Sequence, residues 1–244
     1  MPIASVVTAN TTKDNVLINN IMNELKKLYK IAGIATVIIV ILIPVQIFIF
    51  GMYPPPSSPK GLFELFNENW ILGMLSLDLL YIVNNTLIIF VYLGLYAALK
   101  KTNLEYMTIA LVIGFIGIAA YYSSTVIFEM KALSQQYMDS SSPEIKEQLI
   151  SSGNLLLLRY HGTAFDIYYI LNALTLIIAS RVMLMDDTFS KTTAIWGLIA
   201  GVLMIIPSTA GMLGLVLSLV SLIPWIVFSI LIAKRFFKLD RINE

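Results

Sequence analysis

The sequence predicts an all-α polytopic membrane protein with six transmembrane helices and both termini in the cytoplasm. Three observations carry that expectation. The chain of 244 residues is 58% hydrophobic and 13% charged, against about 45–50% and 25% in soluble domains. Its apolar stretches recur at about the 20-residue length that a bilayer-spanning helix needs. Its lysines and arginines fall in alternate connections, as the positive-inside rule requires. The same composition excludes a soluble enzyme, because so much apolar surface has no place in water. A net charge of +1 gives no basic face for a phosphate backbone, so no nucleic-acid partner is expected. There is no cysteine and one histidine. Disulfides, thiolate nucleophiles and multi-histidine metal centres are therefore out, and no cofactor is expected.

Residues 1–28 are polar, carry no secretory pattern and form a cytoplasmic arm. Val16, Ile18, Ile21, Met22, Leu25 and Leu28 recur at helical spacing, which predicts an amphipathic helix on the membrane surface. A single transmembrane bundle occupies 29–238, with a short tail at 239–244. Span one covers 29–52, where Pro44 bends the helix and Gln46 is the strongly polar side chain; Pro54, Pro55 and Pro56 end it. After an interfacial segment, Trp70 anchors the start of span two at headgroup level, and that span runs 70–99. Span three covers 105–128. In the long connection 129–152, Ser142 is a good N-cap and Pro143 suits the first helical position, giving a short surface helix. Span four covers 153–182. The stretch 193–233 is too long for one crossing. The Pro207-Ser-Thr-Ala-Gly211 break divides it into span five, 193–209, and span six, 211–234. Gly197 and Gly201 form a small-residue seam suited to close packing, within the chain or against a partner.

With both termini inside, twelve of the sixteen basic residues lie in inner segments, Lys60, Lys131 and Lys146 lie outside, and Arg159 is left within span four. The basic C-terminus suits anionic headgroups.

Two stretches echo each other. Asp78-Leu-Leu-Tyr-Ile-Val-Asn84 and Asp166-Ile-Tyr-Tyr-Ile-Leu-Asn172 share Asp-x-x-Tyr-Ile-x-Asn. Both spans run from outside to inside, so the copies are parallel. The echo reads either as a worn duplication or as chance between apolar helices.

Charged groups at mid-membrane cost about 2.5–3.5 kcal/mol each on insertion scales, so Asp78, Arg159 and Asp166 should face the bundle interior. On span two, Asp78, Tyr81, Asn85, Tyr92 and Tyr96 share a helical stripe; on span four, Arg159, Gly162, Thr163, Asp166 and Tyr169 share another. These stripes predict that Asp78 and Asp166 approach Arg159 where spans two and four meet. If Arg159 lies between them the cluster is a structural triad; if it turns to the headgroups, two carboxylates share a poorly solvated site and one holds a proton. His161 and Asn172 mark the opposite face of span four, and Glu129 ends span three beside Tyr122 and Thr125. A mixed metal site of Glu129, His161 and the aspartates is the least specific option. All these groups fall in the outer half. Tyr81, Tyr121, Tyr122, Tyr160, Tyr168 and Tyr169 would line a pocket open outward or laterally and sealed inward.

Tyr29-Lys-Ile-Ala-Gly-Ile, Tyr53-Pro-Pro-Pro, Leu75-Ser-Leu-Asp-Leu-Leu-Tyr-Ile-Val-Asn-Asn85, Phe128-Glu-Met130, Gly162-Thr-Ala-Phe-Asp166 and Gly201-Val-Leu-Met-Ile-Ile-Pro-Ser-Thr-Ala-Gly211 resemble a prokaryotic membrane family known as a domain of unknown function, DUF4386, over about residues 28–238. The resemblance implies a six-helix bundle in the cytoplasmic membrane and carries over no reaction. The leading expectation is therefore a non-enzymatic protein that binds, or also translocates, a small amphiphilic or lipid-like molecule. Its ligand-binding candidates are Asp78, Tyr81, Asn85, Glu129, Arg159, His161, Asp166 and Tyr169, its partners membrane lipids and a second copy of the chain. The alternatives are an accessory membrane subunit that uses the glycine seam as its interface, and an intramembrane lipid-modifying enzyme with the acids and His161 as proton carriers.

Overall fold

The protein is described by a computed structural model, in which the backbone of residues 3–241 and the side chains of residues 24–241 are described. Every described element is helical: α1 Ile3–Met52, α2 Pro59–Glu68, α3 Trp70–Ser76, α4 Leu79–Leu99, α5 Leu104–Ser124, α6 Ile127–Asp139, α7 Pro143–Tyr160, α8 Thr163–Met183, α9 Lys191–Leu203 and α10 Gly211–Arg241. The arm belongs to α1, but the side chains that would make most of it amphipathic lie outside the described residues. Local signals set the helix starts. Ser58, Asn69, Asn103, Ser142 and Ser190 each accept a backbone N–H from the first turn of the next helix. Pro59 and Pro143 stand at first helical positions, where no N–H is needed.

Five stretches are long and apolar enough to cross a membrane: Glu24–Met52, Leu79–Leu99, Leu104–Asp139, Pro143–Met183 and Gly211–Arg241. The expected fifth span is shorter than the sequence suggests. α9 has 13 residues, about 20 Å at 1.5 Å per residue, against a hydrocarbon core of about 30 Å. It stops at Leu203, and residues 204–210 turn back before Gly211 opens α10 with φ 69°.

Three of the expected continuous spans are broken. Span two breaks at Leu77–Asp78, where Asp78 takes φ 64° and ψ 34°. It is the one described non-glycine residue at positive φ, and aspartate is among the few side chains that tolerate this conformation. Span three breaks at Thr125–Val126. There Ser123, Ser124 and Thr125 return their hydroxyls to the carbonyls of Ala120, Tyr121 and Tyr122, which competes with continuation of the helix. Span four breaks at His161–Gly162, and Gly162 N–H closes the end of α7 on Arg159 O at 3.1 Å. The expected short surface helix is thus 18 residues long.

The breaks divide the molecule into layers. At one end, the cap, α2, α3, α6 and α7 pack together around Leu62, Phe63, Phe66, Ile127, Met130 and Tyr160. Ser134 ties α6 to α2 by donating to Phe63 O at 2.7 Å. At the other end, the base, α1, α4, α5, α8, α9 and α10 enclose a larger core that includes Ile39, Leu95, Leu99, Met183, Phe228 and Phe236. Between them lies a tyrosine layer of Tyr81, Tyr121, Tyr168 and Tyr169, with Tyr121 and Tyr168 ring centroids 4.9 Å apart. The most extensive packing is α5 on α8, then α1 on α10 and α4. At the base, Asp186 joins the α8–α9 turn to the α4–α5 turn by accepting from Thr102 and Thr188 hydroxyls. Burial alone would raise its pKa, but these bonds and backbone N–H groups hold the carboxyl below its ordinary value.

The glycine seam is occupied within the molecule. A Cβ at Gly201 would lie 2.7 Å from Ile177 Cγ1 and 3.1 Å from Ala173 O, both on α8, and Gly197 faces Ser180 and Phe228. The seam lets α9 approach α8 and α10 and leaves no free surface for a partner.

Candidate functional site

Below the cap, α1, α4, α8 and α10 separate and leave a cavity of about 280 Å³. α1 contributes Leu42, Ile43, Gln46 and Ile47; α4 and the turn before it contribute Asp78, Leu80, Tyr81 and Asn84. α8 adds Phe165 and Tyr169, the α9–α10 turn adds Ser208, and α10 adds Ser218, Leu219 and Leu222. A smaller void of about 60 Å³ shares Ile43, Tyr81, Asn84, Tyr169 and Leu222 with it and reaches toward Tyr92, Asn172 and Trp225. The tract therefore passes from the cap boundary into the base core and narrows as it goes.

The mouth is lateral. Ile47 and Leu219 both line the cavity and are 55% and 57% exposed. Around them the second half of α1 and the first half of α10 present Val45, Phe48, Met212, Leu215 and Val216 outward. Toward the base the same two helices close, with Phe237 3.0 Å from the Cβ position of Gly33 and Tyr29 stacked on Phe236.

The walls carry unmet polarity. Gln46 Oε1, Gln46 Nε2 and Asn84 Oδ1 are buried and have no protein partner among the described residues. A buried polar group left so costs about 1–3 kcal/mol, and both residues line the cavity. Asp78 Oδ2 accepts from the Tyr160 hydroxyl, the only side-chain bond Asp78 makes among the described residues. Among those residues no lysine, arginine or histidine lines either void.

The predicted site residues are partly gathered and partly dispersed. Asp78, Tyr81 and Tyr169 meet at the cavity. Asn85 does not: it is buried, donates to Tyr81 O at 3.0 Å, and Asn84 lines the cavity in its place. Within the unbroken α4, Asn84 and Asn85 stand three and four residues after Tyr81, on either side of its line, and the rotation of the helix turns the i+3 side to the cavity. Asp166 lies outside the lining and accepts from Thr209 of the α9–α10 turn. Arg159 joins neither aspartate. Its Nε and Nη2 donate to Ser123 O at 3.1 and 2.6 Å, so it caps the carbonyl end of α5, where a cation is favoured. Neither the Asp78–Arg159–Asp166 triad nor a lining shared by two carboxylates is formed. His161 is exposed at the α7–α8 break, its ring 4.6 Å from that of Tyr160. Glu129 is exposed in the first turn of α6. Among the described residues no three histidine or acidic side chains gather as a metal site would require.

Of the expected aromatic lining, Tyr81, Tyr168 and Tyr169 face the voids. Tyr121 packs behind them, Tyr122 bonds Thr86 at 2.8 Å, and Tyr160 is taken by Asp78. Tyr92 of the predicted stripe lines the smaller void; Asn84, which the stripes miss, and Asn172, which they place on the opposite face, line it as well. The internal echo holds the signal, since its paired tyrosines, Tyr81 and Tyr169, and its paired asparagines, Asn84 and Asn172, all line the smaller void. There Tyr92 donates to Asn172 Oδ1, and Asn172 Nδ2 donates to Tyr168 O at 2.9 Å.

The model of the family described as Domain of unknown function (DUF4386) matches residues 31–234. No curated protein and no solved structure matches the chain.

Proposed function

The chain belongs to the DUF4386 family, and from that premise we propose a membrane protein that takes a small amphiphilic or lipid-like molecule from the surrounding leaflet into the α1–α4–α8–α10 cavity. The observation that carries this reading is the coincidence of an exposed apolar mouth at Ile47 and Leu219 with buried, unpartnered amide atoms at Gln46 and Asn84. An apolar entrance leading to unmet polar groups suits a molecule with an apolar tail and a polar end. In this reading α9 and the 204–210 turn make a sixth, short crossing. The base, rich in lysine and arginine, faces the cytoplasm of a prokaryote, and the cap and cavity face outward. Protein–ligand recognition, rather than catalysis, fits the dispersal of Asp78, Asp166, Glu129 and His161 among separate neighbourhoods.

The test is ligand-dependent melting of purified protein against a panel of polar lipids and short-chain amphiphiles. A ligand at 100 times its Kd adds about 2.7 kcal/mol, which for a chain of this size raises Tm by about 5 °C or more. Leu219→Trp, which fills the mouth, should abolish the shift. If nothing in the panel moves the parent's melting temperature, the reading fails.

A further inference from the structure

The polar lining of the cavity is one-sided in charge. Asp78 contributes a carboxylate whose Oδ1 makes no bond to a described side chain. No described basic side chain stands in either void to balance it. Asn84 is 7% exposed, and its unpartnered atom is an acceptor; Gln46 adds a second unpartnered acceptor, Oε1, and one unpartnered donor, Nε2. The rings of Tyr81, Phe165 and Tyr169 complete the wall around this end, and aromatic faces attract cations. The carboxylate and the π-faces favour positive charge and the two amide oxygens favour a donor, while Gln46 Nε2 is left to meet an acceptor elsewhere on the ligand. A carboxylate or phosphate head would instead meet Asp78 with no cation to offset the repulsion, which discriminates against it.

We propose that the cavity selects an amphiphilic amine, with its ammonium head at Asp78 and its apolar tail leaving between Ile47 and Leu219. This rests on the ligand-binding function proposed for the cavity and names its ligand class. Asn84 lies six residues beyond Asp78 in the chain, about 9 Å deeper at helical rise. The Gln46 and Asn84 amides therefore form a second polar station, suited to a hydroxyl or amide carried further along the molecule. The volume of about 280 Å³ sits at the low end of small-ligand sites, so the head group is compact.

The experiment compares three probes with one tail: n-octylamine, n-octanol and n-octanoate. Each is titrated by calorimetry at pH 7 into the full chain in nanodiscs of zwitterionic lipid, with empty nanodiscs as the blank. Octylamine should bind at least ten-fold more tightly than octanol, and octanoate should show no saturable binding. Asp78→Asn should remove the preference for octylamine over octanol, whereas Glu105→Gln, remote on the base, should change nothing. The parent's own ranking decides the matter even if Asp78→Asn fails to fold. Octanol or octanoate binding as tightly as octylamine would overturn the amine inference while leaving the cavity as a ligand site. Absence of binding by all three overturns it too, and the melting panel then shows whether the broader reading falls with it.

Discussion

Asp78 holds two roles that a substitution series separates. Its backbone turns the chain between α3 and α4 at φ 64°, and its carboxylate accepts from Tyr160 at the cavity edge. Asp78→Gly and Asp78→Ala lose the same hydrogen bond, but alanine must also carry the left-handed conformation, which costs about 1–2 kcal/mol in a side chain with a Cβ. Asp78→Ala should therefore melt below Asp78→Gly, by about 2 °C or more. Equal melting temperatures would show that the backbone at 78 relaxes freely. At this scale the sequence marks Asp78 as an intramembrane acid that needs an explanation. It does not mark the turn, because nothing in Leu77-Asp78-Leu79 signals a helix end as proline or glycine would. Arg159 is equally visible, but its partner is not. The acceptor it finds is a main-chain carbonyl, Ser123 O, which has no sequence signature.

The elements are legible where local chemistry fixes them. Pro54, Pro55 and Pro56 end α1, Ser142 and Pro143 start α7, and the 207–211 break separates α9 from α10. Breaks inside apolar stretches are not legible, since hydrophobic content stays high across them. Residues 159 and 160 then tie the breaks together: Arg159 reaches the end of α5, and Tyr160 reaches the start of α4. The glycines separate packing from mere composition. Gly201→Ala would press a methyl into Ile177 and the Ala173 carbonyl, and overpacking of that kind costs about 1–3 kcal/mol. Gly51 has nothing within 4 Å of its Cβ position, so Gly51→Ala should be neutral or stabilise by up to about 1 kcal/mol through helix propensity. Paired thermal melts of the two variants check this, and a harmless Gly201→Ala would mean that α9 does not sit against α8 as described.

For the whole molecule, the absence of cysteine permits a direct measurement of orientation. Single cysteines at Ser141 in the cap and at Lys101 in the base should label oppositely in intact cells. An impermeant maleimide should reach the first and should reach the second only after the membrane is opened. The reverse pattern would invert the proposed topology. What the sequence determined by itself is the class: an apolar, helical chain with helices long and apolar enough to cross a membrane, and basic residues concentrated toward one end. Composition and charge act residue by residue and need no knowledge of neighbours. Tertiary structure alone decided which polar groups meet. Five long apolar helices and a short sixth leave this cavity where α1 and α10 part and where Asn84, rather than Asn85, turns inward. That outcome depends on the rotation of α4 about its own axis and on helix-to-helix distance. Both are set by packing between segments far apart in the chain, so neither is written in any local stretch of it.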